Sequence, residues 1–369
     1  MVKHRGIRAA LLSCAATALI GTAPAPAFDP NPYLHAQRLV DIGGRKMNLY
    51  CTGKGSPTVV LDAGANDTTL AWRFVQPAIA KRTRVCSYDR AGLGFSEPAP
   101  PPRDARAAVH DLHALLQRAG IAPPYILVAH SLAGLYAPLY ADSHEADVAG
   151  MVLVDPGVPY QLKRMAAAEP GLAPLLAALP AWDRMCASAA ASRQMHAGST
   201  ADAQCSTPAD PSLPAALNAL IARQWQRPGT WADFVSADEA SGTTSSDEVV
   251  HAQRSLGAMP LVVLSERGFI RDFASLPATQ QRALLDASKA WHDRIAALSS
   301  RGVDLMIGGA GHDIQIDRPA SVISAIAKVV DETHRYVSTS LRRSASRAHA
   351  TSMAMRSPTE TSRPHRYDE

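Results

Sequence analysis

The run Tyr125-Ile126-Leu127-Val128 passes without a linker into Ala129-His130-Ser131-Leu132-Ala133-Gly134, and a helical apolar pattern then continues to Ser143. A β-branched strand that turns directly into a helix leaves few folds open. Such a turn is so tight that the residues two before and two after the Ser must be small, and here both are Ala. The Ser is pushed out beyond the strand, and the first amides of the helix point at the space beside it. The same spacing recurs around Ser199 (197–201) and Ser352 (350–354), but neither follows an apolar strand or precedes an amphipathic helix. Context singles out Ser131.

Strand and helix patterns alternate on both sides of this turn. Arg38–Ile42 and Lys46–Cys51 flank Gly43-Gly44, a hairpin signal. Thr58–Leu61 and Arg84–Tyr88 predict buried strands, and Leu70–Lys81 predicts a helix that turns Trp72 and Val75 inward. Val109, Leu112 and Leu116 give Arg103–Arg118 an amphipathic face. Met151–Val154 is the last strand before the alternation stops. It resumes with strand Leu261–Leu264, helix Ala278–Leu298, strand Val303–Ile307 and helix Ala320–Thr333. Alternation of this kind means an α/β fold with a mostly parallel central sheet and helices on both faces. Between the two halves, residues 156–259 form a Pro- and Ala-rich helical insertion holding Trp182, Trp225 and Trp231. The core segments are thus 28–155 and 260–335. With 47% hydrophobic residues there is ample material for one large core, which excludes a disordered chain or a small disulfide scaffold.

Charge is concentrated at the two ends. Residues 1–27 carry Lys3, Arg5 and Arg8 with no acid, and 336–369 carry six Arg against three acids. Each end is +3 in a chain of net charge +4, which leaves −2 for the body. A mildly acidic body gives no reason to expect nucleic acid as a partner. The basic start, the apolar stretch Ala9–Ile20 and the small-residue close Ala25-Pro26-Ala27 read as a signal peptide ending at residue 27. That stretch is too short to span a bilayer, which needs roughly 20 residues, so no stable membrane insertion is expected. A lipid-modified Cys14 and a buried N-terminal helix are the alternatives. The Ser-, Thr- and Arg-rich segment 336–369 is expected to be a disordered tail.

Export also fits the cysteines. Without Cys14 there remain Cys51, Cys86, Cys186 and Cys205, an even number that allows three pairings. The pairings local in sequence are Cys51–Cys86 and Cys186–Cys205. No Cys-x-x-Cys, clustered metal ligands or phosphate-cradling loop is present, so neither metal nor cofactor is expected.

Four segments together make the chain resemble a serine hydrolase of the α/β-hydrolase superfamily, over about 38–335. They are Thr58-Val59-Val60-Leu61-Asp62-Ala63-Gly64, Tyr88–Ser96, Leu127–Gly134 and Gly309-Ala310-Gly311-His312. The resemblance implies a nucleophile elbow at Ser131 and a helical cap at 156–259. Most members have Gly where this chain has Ala129 and Ala133, and Pro138 is expected to kink the helix after the elbow. The family's strand order places the strand of Cys51 beside that of Cys86, which supports that bond.

A Ser hydroxyl needs a base, and His312, in a Gly-rich turn past the last strand, is the candidate. His130 is expected to point away from the site. For the orienting acid, no Asp stands three or four residues past Leu264, where members usually place it. Glu266 comes early and Asp272 late, whereas Asp155 ends the strand Met151–Val154, a position other members use. Asp155 is preferred, with Glu266 as the alternative. The oxyanion donors implied are the amides of Leu132 and Ala65, with Asn66 able to add another, while Asp89 and Arg90 brace the loop.

A Ser nucleophile argues against the branches of the family that use Asp, the haloalkane dehalogenases and epoxide hydrolases. The reaction expected is hydrolysis of a small-molecule carboxylic ester or lactone through an acyl-enzyme, carried out in the periplasm or outside the cell. Amidase, aminopeptidase and cofactor-free peroxidase-type activities are the alternatives on the same site. A non-catalytic binding protein is the alternative to catalysis.

Overall fold

The period-two alternation of the parallel strands sends apolar side chains to both faces of one sheet. In the computed structural model, which describes residues 28–252, 254–266 and 276–334, eight strands pair in the order β1-β2-β4-β3-β5-β6-β7-β8. They are β1 (Leu39–Asp41), β2 (Lys46–Thr52), β3 (Thr58–Asp62), β4 (Val85–Tyr88), β5 (Tyr125–His130), β6 (Val148–Val154), β7 (Leu261–Glu266) and β8 (Gly302–Ile307). The pairs β1–β2 and β2–β4 are antiparallel and the rest are parallel. The expected signal peptide, the expected tail and Asp272 lie outside the described residues.

Val60, Leu127, Ala129, Met151, Leu153 and Val263 join one hydrophobic cluster, with Leu112, Leu116 and Tyr136 of the covering helices. Their neighbours Val59, Leu61, Ile126, Val128, Val152, Val154, Val262 and Leu264 join the other, with Trp72, Val322 and Ile326. Both faces being covered explains why these strands are apolar without interruption. The hairpin forms where Gly43 and Gly44 take φ of +111° and +94°, and both amides donate to the Asp41 carboxylate.

Two local expectations change. The helix expected over Leu70–Lys81 is split into a 3-10 turn at Thr69–Trp72 and a short helix at Gln76–Ile79. Pro77 has no N–H to donate, so it opens a new helix instead of continuing the old one. Trp72 and Val75 are fully buried as expected. Strand β7 runs two residues past Leu264, because Ser265 and Glu266 pair with Met306 and Ile307. Glu266 is therefore the last residue of a strand rather than part of a loop. Helix Ala133–Ser143 runs through Pro138, and residues 319–334 form the final described helix.

Among the described residues, six α-helices lie between β6 and β7, from Gln161–Ala168 to Thr244–Ala252. Trp225, Trp231 and Phe234 pack around Cys186 and Cys205, and Ala65 of the core packs against this cluster. Backbone groups of the Tyr88–Ser96 segment tie the insertion down. The Gly94 amide donates to Gln224 Oε1 at 2.8 Å, and Thr230 Oγ1 donates to the Gly92 carbonyl at 2.7 Å.

Cys51 pairs with Cys86 across β2 and β4, and Cys186 with Cys205 inside the insertion. Closing loops of 35 and 19 residues restricts the unfolded chain, for about 3–4 kcal/mol each. Replacing both Cys186 and Cys205 with Ala is therefore expected to cost about 3 kcal/mol in denaturant unfolding. An unchanged midpoint and slope would contradict that.

Candidate active site

Parallel strands deliver their C-terminal ends to a common edge, and the site is built on the ends of β5, β6 and β8. Ser131 follows β5 at φ +51°, the left-handed region that a non-glycine residue enters at a cost. Backbone bonds hold it there. Its amide donates to the Val154 carbonyl at 3.2 Å, and its carbonyl accepts from Gly134 at 2.7 Å and Gly157 at 2.8 Å. Ala129 and Ala133 are fully buried, so the extra methyls that distinguish them from Gly are accommodated. Gly134 admits no side chain, since a Cβ there would lie 2.5 Å from Pro156 Cβ. By contrast, Ser199 is an ordinary helix cap whose side chain accepts from the Asp202 amide.

Asp155 follows β6 and also has positive φ, +40°, with its amide donating to the Leu264 carbonyl at 2.7 Å. His312 sits in the turn after β8. Its Nδ1 donates to Asp155 Oδ2 at 2.6 Å, and its Nε2 stands 2.8 Å from Ser131 Oγ, from which the neutral imidazole accepts. Ser131, His312 and Asp155 thus form one hydrogen-bonded chain. Glu266, the alternative acid, is buried at the end of β7 and acts on His312 through its charge.

His130 turns away from Ser131, as expected. It is buried, and its Nε2 donates to the His312 carbonyl at 3.0 Å, fixing the backbone that carries the imidazole. Burial and the neighbouring His312 push its pKa down to about 4. Burial also works against charge on His312, but the Asp155 hydrogen bond and the charges of Asp155, Asp313 and Glu266 outweigh it. They raise His312 to about 9. Asp155 moves the other way. Burial opposes its ionisation, yet the His312 hydrogen bond and the charges of His312, His292 and His130 hold it below the usual carboxylate range.

The amides of Ala65 and Leu132 face no acceptor among the described residues. The loop of Ala65 is fixed from below by Arg90, whose guanidinium donates to Asp62 and to the carbonyls of Ala63 and Gly64. Asp89 accepts from the Thr69 and Phe95 amides at 2.8 and 3.0 Å and from Asn48 Nδ2 at 2.9 Å. Both residues brace the loop.

Two groups of His and carboxylate bring candidate ligand atoms within 4.8 Å of one another: Asp67, His130 and Asp313, and His113, His144 and Asp147. In the first, both nitrogens of His130 already face partners, the His312 carbonyl and the Gln315 carboxamide. In the second, the two imidazoles stack in parallel with centroids 3.9 Å apart, so no ion can lie in both ring planes.

Sequence reasoning missed His292. This residue of helix Ala278–Ala296 is buried and has Nδ1 4.0 Å from Asp155 Oδ1. No motif marks it, since only the packing of that helix on β7 brings it there.

A family model described as alpha/beta hydrolase fold matches residues 57–201. The Bacillus subtilis protein YqjL is 26% identical over 277 residues, covering 75% of this chain and 85% of YqjL. YbdG of the same organism is 31% identical over 125 residues. That match takes in 33% of this chain and spans only 38% of YbdG. Among solved structures, DBJA superposes with a TM-score of 0.60 at 18% identity, covering 81% of this chain and 99% of DBJA. The epoxide hydrolase CorEH does so with 0.53 at 18% identity, covering 80% and 97%. Sheet order, elbow and family match agree, and the chain has the α/β-hydrolase fold.

Proposed function

We propose that this protein is an exported serine hydrolase that cleaves a carboxylic ester or lactone through an acyl-enzyme. The observation that carries the reading is the chain Ser131 Oγ–His312–Asp155, with both links inside hydrogen-bond distance. In this reading His312 Nε2 takes the Ser131 proton as Oγ attacks the substrate carbonyl. Asp155 holds the imidazole in the tautomer that leaves Nε2 free, and it stabilises the imidazolium that forms. The Ala65 and Leu132 amides receive the oxyanion, since neither has another acceptor to give up. His312 then protonates the departing alkoxide, and water attacks the acyl-Ser131 by the same route.

The helical insertion, residues 156–259, serves as the cap. Its packing against Ala65 sets it beside the proposed oxyanion loop. Trp225, Trp231 and Phe234 are buried in the insertion's own core, so they support its fold and carry no argument about the substrate. A serine at the elbow separates this chemistry from that of an Asp nucleophile.

An aminopeptidase reading is favoured by one feature. Asp67 and Asp313 each stand 3.8 Å from His130, the residue before Ser131, with side chains 43% and 35% exposed, and two neighbouring acids suit a substrate ammonium group. A panel of aryl esters of rising acyl length, lactones and amino-acid anilides separates the readings. Ester turnover well above anilide turnover is expected, and the reverse order favours the aminopeptidase. A fluorophosphonate probe is expected to label the wild type and not Ser131→Ala. Equal labelling of both would remove the reading.

The charge of His312 gives a pH dependence of known sign. With its pKa raised to about 9, the base is free only toward alkaline pH, so kcat/KM is expected to climb with pH through that region. Asp155→Asn removes the two largest causes that raise it, the Asp155 hydrogen bond and charge, and leaves those of Asp313 and Glu266. The limb should move down toward the ordinary imidazole value, with kcat falling about 10⁴-fold. A limb that stays in place would assign the acid elsewhere. For export, residues 1–27 would be removed, and N-terminal sequencing of the exported form is expected to begin at Phe28. An exported form that retains residues 1–27 would contradict this.

A further inference from the structure

We propose that His292 is a positioning residue, a buried imidazolium that acts on the reaction through Asp155 as the end of a relay Lys289–Asp304–Ser265–His292. The inference rests on Asp155 being the acid of the proposed triad. It comes from counting protons along a chain of hydrogen bonds that touches neither Ser131 nor His312.

His292 lies on helix Ala278–Ala296 and is 4% exposed. Its Nε2 is 3.0 Å from the Pro156 carbonyl. A carbonyl can only accept, so Nε2 carries a hydrogen. On the other side of the ring, Nδ1 is 2.7 Å from Ser265 Oγ. Ser265 has one proton, and its Oγ is also 2.6 Å from Asp304 Oδ1. The second oxygen of Asp304 stands 3.2 Å from Lys289 Nζ, a cation beside a carboxylate whose side chain is 1% exposed. Paired with that cation, Asp304 is a carboxylate that can only accept, so Ser265 must give its proton to Asp304 Oδ1. Ser265 then has only a lone pair to offer His292, so Nδ1 carries a hydrogen too. The ring bears both protons.

This places a cation behind Asp155. The carboxylate uses Oδ2 on His312, while Oδ1 lies 4.0 Å from His292 Nδ1. His292 also grips the carbonyl of Pro156, the residue after Asp155, and so steadies the backbone that aims the carboxylate. The charged groups around the ring are Asp155 from the end of β6, Asp304 from β8 behind Ser265, and Lys289 of its own helix. Lys289 is paired in turn with Asp293 of that helix. Strand β7 presents Ser265, which is uncharged.

A positive charge behind Asp155 opposes a second one on His312. Removing it favours protonated His312, so the pH at which the base becomes free moves up. His292→Gln keeps a donor for Pro156 and loses the charge. Asp304→Asn removes the anion that obliges Ser265 to donate away from the ring, and it contacts neither Ser131 nor His312. Both variants are expected to shift the kcat/KM limb upward by about half a unit to one unit, with KM little changed and kcat reduced roughly ten-fold. A limb that stays at the wild-type pH in both, whatever happens to kcat, overturns the relay and leaves His292 a packing residue. A second measurement needs no activity. Nitrogen NMR of imidazole-labelled wild type should show both nitrogens of His292 protonated at neutral pH, its signal assigned by its loss in His292→Gln. A single-proton pattern overturns the proposal. Failure of the triad reading would instead show as fluorophosphonate labelling that persists in Ser131→Ala, with the His292 signal unaffected.

Discussion

One imidazole joins three strand ends. His312 reaches Ser131 after β5 and Asp155 after β6, and its own backbone is held by His130 from beneath. Everything else at the site depends on that span. It requires three parallel strands in fixed register, so that their C-terminal ends stop at one edge. It also requires Ser131 and Asp155 to take positive φ, a cost met by the backbone bonds each makes to the neighbouring strand. A slip of one residue in β5 against β6 would reverse which side chains face the helices and would separate nucleophile from acid.

The insertion contributes less to the chemistry than its composition suggests. Its large aromatics fill a local core, linked by edge-on and tilted ring contacts about 5–6 Å apart and stapled by Cys186–Cys205. What reaches the active-site side is the packing against Ala65 and the polar ties to Gly92 and Gly94. These ties join the insertion, the proposed cap, to the same segment whose Arg90 and Asp89 brace the proposed oxyanion loop.

Much of the fold was legible because local and global demands agree. The β-branched runs, the Gly43-Gly44 turn and the small residues around Ser131 each serve the element in which they stand. The helix expected over Leu70–Lys81 failed at Pro77, where periodicity outweighed a residue that lacks a donor. The proposed acid was harder to read because the choice between Asp155 and Glu266 depends on how far β7 runs. Pairing with β8 carries that strand to Glu266, which no count from Leu264 could anticipate. His292 was illegible for a simpler reason. Its partners Ser265 and Pro156, and Asp304 behind Ser265, come from three separate elements, and a relay assembled only by packing leaves no spacing in the chain.

The central claim is that Ser131 becomes covalently acylated during turnover. Quenching the enzyme with acid while it turns over an aryl ester, then mapping the peptides by mass, tests this without reference to rates. The expected result is one acyl group on the peptide that contains Ser131, and none in His312→Ala. Acyl groups on another residue, or none on an enzyme that is turning over, would contradict the account.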